Sequence, residues 1–326
     1  METLSEHIFH LNSEEDFEKT ALRIFKFQYE NNSVYLSYCQ YLNIDKEHVC
    51  DLRQIPFLPI SFFKTHEVKS TEFEPELTFQ SSGTTGMQHS RHLVKDAQLY
   101  RKSLLESFRH FYGKPSDYVF LALLPNYLEQ KHSSLIYMME TLMHESGAAD
   151  NGYYLYNHED LYQKLLQLRD NHQKTILWGV TFALLDFAEH YRLDFPELIV
   201  FETGGMKGRR KEMVKEELYE ILQKAFGVPA IHSEYGMCEL LSQAYSKGGN
   251  LFTTPPWMRI CLRNEKDPLD TSDTVGTGVI NVIDLANIYS CSFIATDDLG
   301  RRHPQGFEVL GRLDHSQLRG CNLMVL

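Results

Sequence analysis

The chain has 326 residues and a net charge of −12, from 32 Lys and Arg against 44 Asp and Glu. This acidic balance argues against a general binder of nucleic acid or of anionic membrane surfaces, but it allows a local basic pocket for a nucleotide. No apolar run approaches the length of a membrane span, and the amino terminus lacks the pattern of a signal peptide. The six cysteines show no C-x-x-C pair and no zinc spacing, so we predict reduced thiols in a cytoplasmic protein without membrane insertion.

Residues 1–75 predict a helical preamble that packs on the main body. Residues 13–16 have the form of a helix N-cap, and apolar residues follow at helical spacing from Phe17 to Gln28. The proline-broken run at 55–64 cannot be a regular helix. We expect it to cross the surface of the main body and to pack its aromatic side chains there.

Residues 76–249 alternate predicted strands and helices. The strands are predicted at 77–79, 91–94, 118–124, 175–178, 198–201 and 230–232. The helices are predicted at 96–111, 133–144, 161–169, 182–191 and 211–226. This alternation is typical of an α/β fold that is doubly wound, with largely parallel sheets and flanking helices, and we expect the nucleotide-binding core here.

Residues 250–326 change to short β-rich pieces and turns, with strands predicted at 277–284 and 292–295. We interpret this part as a small β-rich subdomain that completes the site.

A loop of small polar residues follows the first strand of the core. It consists of Ser81, Ser82, Gly83, Thr84, Thr85 and Gly86. Glycines allow close backbone approach, and successive N–H groups with Ser and Thr hydroxyls can bind a phosphate. As a bare pattern, such a cluster is more often an ordinary solvated loop. It is also no Walker A loop, because a predicted strand at 91–94 follows it instead of a helix, which places the loop at a hairpin-like turn.

Three predicted loops, at 81–86, 203–207 and 233–239, lie at the carboxyl ends of strands. Ligands of open α/β sheets bind outside these ends. A phosphate loop, a double glycine and an acidic residue that converge there predict a site for a nucleotide and a metal.

Five motifs, taken in order, resemble the core motifs of adenylate-forming enzymes, the superfamily of acyl-CoA synthetases, peptide-synthetase adenylation domains and firefly-type luciferases. They are SSGTTG at 81–86, FETGGM at 201–206, EYGMCE at 234–239, TDDLG at 296–300 and GRLDHSQLRG at 311–320. With the run at 57–64, the chain from about residue 50 most resembles the LuxE-like acyl-protein synthetases. The resemblance implies the large N-terminal portion of the adenylate-forming fold without its mobile C-terminal domain.

The resemblance also implies roles for individual residues. The loop at 81–86 would bind the β- and γ-phosphates of ATP, and Glu239 would bind Mg²⁺, which prefers carboxylate and phosphate oxygens. Asp298 would accept hydrogen bonds from the ribose hydroxyls, and Arg312 would pair with the ribose or the α-phosphate. The residues that would flank the adenine and acyl pocket are Gly204, Gly205, Met206, Tyr235 and Gly236.

Local sequence alone leaves simpler interpretations open for some of these residues. Gly204 with Gly205 fits a plain turn equally well. Asp298 beside Asp297 fits a solvated turn, and Arg312 fits a surface ion pair.

The chain also departs from the family pattern. Residues 88–90 stand where the phosphate loop of the family usually ends in lysine, Cys238 replaces the usual threonine, and Gln317 replaces a common lysine. The sequence given ends at Leu326, before the small domain whose lysine contacts the substrate carboxylate and α-phosphate in typical adenylating enzymes. Preorganised positive charge is usually the largest catalytic effect, so we expect another cation, a cation from a partner, or slow turnover.

Two functions fit these features. The first is an AMP-forming acid–thiol ligase, which uses ATP and Mg²⁺ to activate a carboxylic acid as acyl-AMP. The resemblance implies that this acid is a fatty acid. Pyrophosphate leaves, and the acyl group moves to the thiol of a protein cysteine, a carrier protein or CoA. The alternative is a catalytically weak subunit that binds nucleotide or acyl groups in a larger acyl-transfer or reductase complex. The retained polar motif residues favour the enzyme.

The resemblance implies an acyl-accepting cysteine near the carboxyl terminus, and Cys321 is the thiol in that region. The other catalytic residues that it implies are Glu239 and Arg312. Arg319 would favour the reactive thiolate of Cys321, and a tethered thiol gains from high effective molarity. The apolar residues that follow Cys321 also fit a closing strand with an inert buried sulfur.

Overall fold

The structure, a computed structural model, describes residues 4–81, 88–125, 132–204, 213–265, 271–272 and 276–313. The roles predicted for several site residues stay predictions, because these residues lie outside the described ranges. They are Ser82, Gly83, Thr84, Thr85, Gly86, Gly205, Met206 and Cys321. Across the described ranges, no helix is both long and apolar enough to cross a membrane.

The helices and strands largely follow the predicted alternation. The α-helices are α1 Leu4–His7, α2 Glu14–Asn31, α3 Ser33–Tyr41, α4 Phe62–Thr65, α5 Ala97–Tyr112, α6 Ser134–Ser146, α7 His158–Asp170, α8 Thr181–His190 and α9 Lys215–Phe226. The strands before residue 240 are β1 Leu58–Pro59, β2 Leu77–Gln80, β3 Arg91–Val94, β4 Val119–Leu123, β5 Gly152–Tyr154, β6 Thr175–Val180, β7 Ile199–Thr203 and β8 Ile231–Tyr235. Those after it are β9 Ala244–Ser246, β10 Phe252–Thr253, β11 Met258–Arg263, β12 Thr271–Ser272, β13 Gly276–Asp284, β14 Phe293–His303 and β15 Gly306–Arg312.

One large mixed sheet organises the fold, in the order β12-β11-β13-β14-β15-β10-β9-β8-β7-β6-β4-β5, with β1 paired to β14. The strands β8, β7, β6, β4 and β5 are parallel, and the apolar run of β4 is fully buried, as expected for a strand covered on both faces. The other strands pair antiparallel, apart from β1, which pairs parallel to β14. The α/β class is therefore confirmed, with the main parallel part in the core. The domain boundaries at residues 75 and 249 stay a prediction.

The glycine-rich loop differs in one respect from the prediction. Its flanking strands β2 and β3 pair with each other in a separate antiparallel sheet, with Gln80 opposite Arg91. The hairpin position is confirmed, but the expectation that the loop follows a strand of the large sheet is wrong. The reason is local, since β2 pairs with its neighbour in sequence.

The preamble contributes to the sheet as well as packing on it. In β1, Leu58 lies opposite Ile294 and Pro59 opposite Ala295 of β14, in parallel register. The Ile60 N–H donates to the Ala295 carbonyl at 2.9 Å. The run at 55–64 is thereby fixed beside the central strand β14.

Helix α2 joins the preamble to the turn between β13 and β14. Its start is capped by the Ser13 hydroxyl, which accepts from the Asp16 N–H at 3.1 Å. At its buried end, the Gln28 amide donates to the carbonyls of Asn287 at 3.0 Å and Ile288 at 2.8 Å, and accepts from the Ser292 N–H at 3.0 Å. Gln28 is fully buried, so these bonds replace those to water.

We expect Gln28→Leu to lower the free energy of unfolding by roughly 2–4 kcal/mol, because buried backbone groups lose their partner. Urea unfolding followed by circular dichroism measures the loss. Gln163→Leu, on the exposed face of α7, is the matched control and should change stability by less than about 0.5 kcal/mol. Equal effects of the two substitutions would contradict the anchoring role of Gln28.

Candidate active site

A cavity of about 650 Å³ opens where the carboxyl ends of β7 and β8 meet the strands β14 and β15. The structure brings most of the described candidate residues into its lining: Ser81, Gly204, Gly236, Glu239, Asp298 and Arg312. Gly204 follows β7 with φ of 86°, a conformation that residues with a side chain adopt rarely. The convergence predicted from the motifs is therefore present for the described residues, while their individual roles stay predictions.

Asp298 is a strand residue with fixed partners. It lies in β14 opposite Arg312 of β15 and is buried. Its Oδ2 accepts from the Tyr235 hydroxyl at 3.0 Å, and its Oδ1 accepts from Nε of Arg312 at 3.2 Å. Thr296 fixes the backbone, since its hydroxyl donates to the Ile280 carbonyl at 2.8 Å and accepts from the Asp298 N–H at 3.1 Å. These contacts exclude the interpretation of Asp298 as a solvated turn residue.

Tyr235 stands behind Asp298 and is not part of the cavity lining. Alternate residues of β8 are buried, so Tyr235 packs edge-on against Phe252 and Phe307 while Glu234 faces the cavity. Burial, and then the Asp298 carboxylate, raise the pKa of Tyr235 well above its usual value. Tyr235 therefore serves as a neutral donor that orients Asp298.

Glu239 lies in a turn that buried polar groups hold in place. Nδ1 of His92, in β3, donates to the Cys238 carbonyl at 2.7 Å, and the ring nitrogen Nε2 lies 3.0 Å from Oδ1 of Asn287. The amide of Asn287 donates to the Glu239 carbonyl at 2.8 Å. Asp284 accepts from the Leu241 N–H at 2.8 Å, just beyond the turn. The Glu239 side chain lines the cavity from a rigid position.

No group of three or more His, Cys, Asp or Glu able to hold a metal occurs in the described part of the chain. A single carboxylate at Glu239 still suits Mg²⁺ in a nucleotide complex, because Mg²⁺ is commonly bound by one or two carboxylates plus substrate phosphates.

Cys238 also lines the cavity but is poorly suited to act as a nucleophile. Its thiol is buried, and burial, followed by the nearby Glu239 carboxylate, raises its pKa. The thiolate is disfavoured, which supports the interpretation of an inert buried cysteine.

Several residues of the lining were given no role from the sequence, among them the polar residues Lys64, Glu234 and Gln243. Lys64 ends the run at 57–64 that carried part of the family resemblance, so a signal was present in the sequence. Its position at the cavity follows from the pairing of β1 with β14, which local pattern does not reveal. Glu234 stands inside the motif EYGMCE, whereas Gln243 lies in no motif.

Several solved structures have a similar fold. An open form of 2-hydroxyisobutyryl-CoA ligase in complex with 2-HIB-AMP and CoA matches with a TM-score of 0.69 and 12% identity, over 92% of this chain and 71% of that one. ATP-bound MatB from Rhodopseudomonas palustris matches with a TM-score of 0.55 and 17% identity, over 74% of this chain and 50% of that one. O-succinylbenzoate coenzyme A synthetase from Bacillus subtilis, in complex with ATP and magnesium, has a TM-score of 0.51 and 18% identity, over 72% and 49%. The chain thus has the adenylate-forming fold and spans about half the length of the last two.

Sequence comparison specifies the resemblance further. Residues 4–110 match the family model of the acyl-protein synthetase LuxE. A long-chain-fatty-acid–luciferin-component ligase from Photorhabdus luminescens is 37% identical over 71 residues, which cover 22% of this chain and 60% of that protein. The resemblance to LuxE-like acyl-protein synthetases is confirmed, and it begins well before residue 50, where the motifs alone placed its start.

We expect Asp298→Ala to weaken the binding of ATP and AMP at least about tenfold, because two ribose hydroxyls lose a charged acceptor worth roughly 1.5–3 kcal/mol. Titration calorimetry gives the affinity, and circular dichroism confirms the fold. Tyr235→Phe keeps the carboxylate and removes one of its donors, so its effect should be smaller. Asp117→Ala, at an exposed position outside the cavity lining, serves as the control. Unchanged affinity in a folded Asp298→Ala protein would refute the ribose contact.

Proposed function

We propose that the protein is an AMP-forming acid–thiol ligase, which activates a carboxylic acid with ATP and then transfers the acyl group to a thiol. The meeting of Glu239, Asp298 and Arg312 in one cavity of an adenylate-forming fold carries this proposal. The match of residues 4–110 to the LuxE family model supports it from the sequence side.

The first step joins the acid to the α-phosphate of ATP. A carboxylate oxygen attacks the α-phosphorus, the bond from that phosphorus to the bridging oxygen breaks, and pyrophosphate leaves. In the proposed arrangement, Asp298 holds the ribose and Arg312 contacts the ribose or the α-phosphate. Glu239 holds Mg²⁺ together with phosphate oxygens, and the ion when bound neutralises phosphate charge.

Lys64 is the cation that we assign to the phosphate or carboxylate groups. Among the described lining residues, the cationic side chains are Lys64 and Arg312, against the carboxylates of Glu234, Glu239, Asp297 and Asp298. Arg312 already forms an ion pair with Asp298. Lys64 has no carboxylate partner among the described residues, and it is exposed. A triphosphate that enters an otherwise acidic cavity needs such a charge.

The second step passes the acyl group to sulfur. The thiol sulfur attacks the acyl carbon, the bond to the phosphate oxygen of AMP breaks, and the thiol proton is released. Cys238 is disfavoured as the acceptor by its raised pKa. Cys321, a carrier protein, another protein cysteine and CoA are the acceptors that the proposal keeps, and a fatty acid is the proposed substrate class.

Acid-dependent exchange of pyrophosphate into ATP tests the first step. We expect exchange in the wild type and roughly 100-fold less in Glu239→Ala, because a group that organises transition-state charge is lost. Glu220→Ala, on the exposed side of α9, is the control and should keep the wild-type rate. ATP binding without exchange for any acid would instead favour the catalytically weak binding subunit.

Replacement of Lys64 separates its charge from its packing. Lys64→Met should lower the exchange rate at saturating ATP by roughly 10- to 100-fold, and Lys64→Arg should restore part of it, because the positive charge returns. Lys69→Met is the matched control, since Lys69 pairs with Glu67 and Glu72 in the same part of the chain and lies outside the cavity lining. If both Met variants behave alike, Lys64 has no specific role in the reaction.

A further inference from the structure

One part of the cavity has a polarity that a plain hydrocarbon chain does not match. Glu234 of β8 lines it, and among the described residues its side chain accepts one long hydrogen bond, from the Thr203 hydroxyl to Oε2 at 3.5 Å. Burial raises the pKa of Glu234 to about 7, which the Thr203 hydroxyl opposes only in part. Its Oε1 accepts no hydrogen bond from the described residues, so the carboxyl group can still accept one from a ligand in the cavity.

Gln243 lies beside Glu234 and has an unpaired acceptor. It is 4% exposed and lines the same cavity. Its Oε1 is buried and has no hydrogen-bond partner among the described residues. A buried acceptor without a partner carries a free-energy penalty, which a ligand that donates a hydrogen bond would relieve.

Gly236 brings these two side chains together. A Cβ atom at Gly236 would lie 2.1 Å from Oε1 of Glu234 and 3.4 Å from Cγ of Gln243. Only a residue without a side chain leaves room for the carboxyl group there. The glycine of this motif thus shapes a small polar recess between Glu234 and Gln243.

The chemistry of this recess specifies what it can bind. Glu234 and Gln243 both present oxygen acceptors, and the lining around them adds the apolar side chains of Leu135 and Met138 and the ring of Tyr100. A methylene chain would offer no donor to Oε1 of Glu234 or to Oε1 of Gln243. A hydroxyl or an amino group would satisfy them, while the rest of the molecule lies against the apolar side chains.

We propose that Glu234 and Gln243 form a specificity subsite for a hydrogen-bond-donating substituent, so that the preferred substrate is a hydroxy acid or an amino acid rather than the unsubstituted acid of equal length. This inference rests on the proposed ligase function and names the substrate class of the same cavity. A long apolar tail beyond the substituent is compatible with it.

The first test is acid-dependent pyrophosphate exchange by the wild-type protein. The panel comprises unsubstituted acids and their 2-hydroxy, 3-hydroxy, 2-amino and 3-amino derivatives at matched chain lengths. We expect at least one derivative to exceed its unsubstituted acid at least about tenfold in kcat/KM. Preference for a hydroxy acid or for an amino acid supports the proposal in either case and identifies the donor.

Two results would overturn the proposal in distinguishable ways. If the exchange rate with the unsubstituted acids equals or exceeds the rate with every derivative, the subsite is refuted and the ligase function stands. Absence of exchange with every acid refutes the ligase function and the inference that rests on it.

Variants of the two side chains test the assignment itself. Glu234→Leu and Gln243→Leu should each lower kcat/KM for the preferred derivative at least about tenfold while that for the unsubstituted acid stays equal or rises. Glu202→Gln alters a buried carboxyl on the adjacent strand β7 outside the cavity lining, so it should affect both acids alike. If the Glu234 and Gln243 variants lose kcat/KM equally for both acids, these residues have a structural role and do not determine specificity.

Discussion

The turn at residues 284–292, between β13 and β14, carries the hydrogen bonds on which the cavity depends. Gln28 of α2 bonds to it from one side. Asn287 connects it to His92 of the hairpin and to the Glu239 carbonyl. Three separate parts of the chain thus meet in one buried polar network, and each bond replaces one that the unfolded chain makes with water. The network gains little net stability per bond, but alternatives that leave these groups unpaired are strongly disfavoured.

This arrangement links the preamble to the site. The pairing of β1 with β14 sets Lys64 beside the strand that carries Asp298, and α2 supports the turn that precedes the same strand. A rearrangement of the first helices would therefore displace the amino-terminal end of β14, from the turn before the strand to Ala295. The LuxE match over residues 4–110 covers this part of the chain, so the family resemblance includes the segment that β1 and α2 join to the sheet.

Local patterns predicted most helices and strands of the core, but the long-range pairing of strands was not predictable from them. The N-cap at Asp96 and the apolar run of β4 act within a few residues, so α5 and β4 were found from sequence. The strand β15, which carries Arg312, was not predicted, because its pairing with β14 is decided by tertiary contacts. The five motifs are also short local patterns, and the described residues of these motifs include several that line the cavity. Lys64 and Gln243 lie at the cavity because β1 pairs with β14 and β9 pairs with β8. Such pairing between distant segments cannot be predicted from one sequence by local pattern.

Tyr235 and Arg312 orient the Asp298 carboxylate before any ligand binds. An ionised carboxylate offers about four lone-pair positions. Arg312 occupies one on Oδ1 and Tyr235 occupies one on Oδ2. About two positions are left, one on each oxygen, which is the number that a vicinal diol requires. The carboxylate is already oriented by the protein, so a ribose would dock onto a preset acceptor pair and spend no binding energy on turning it.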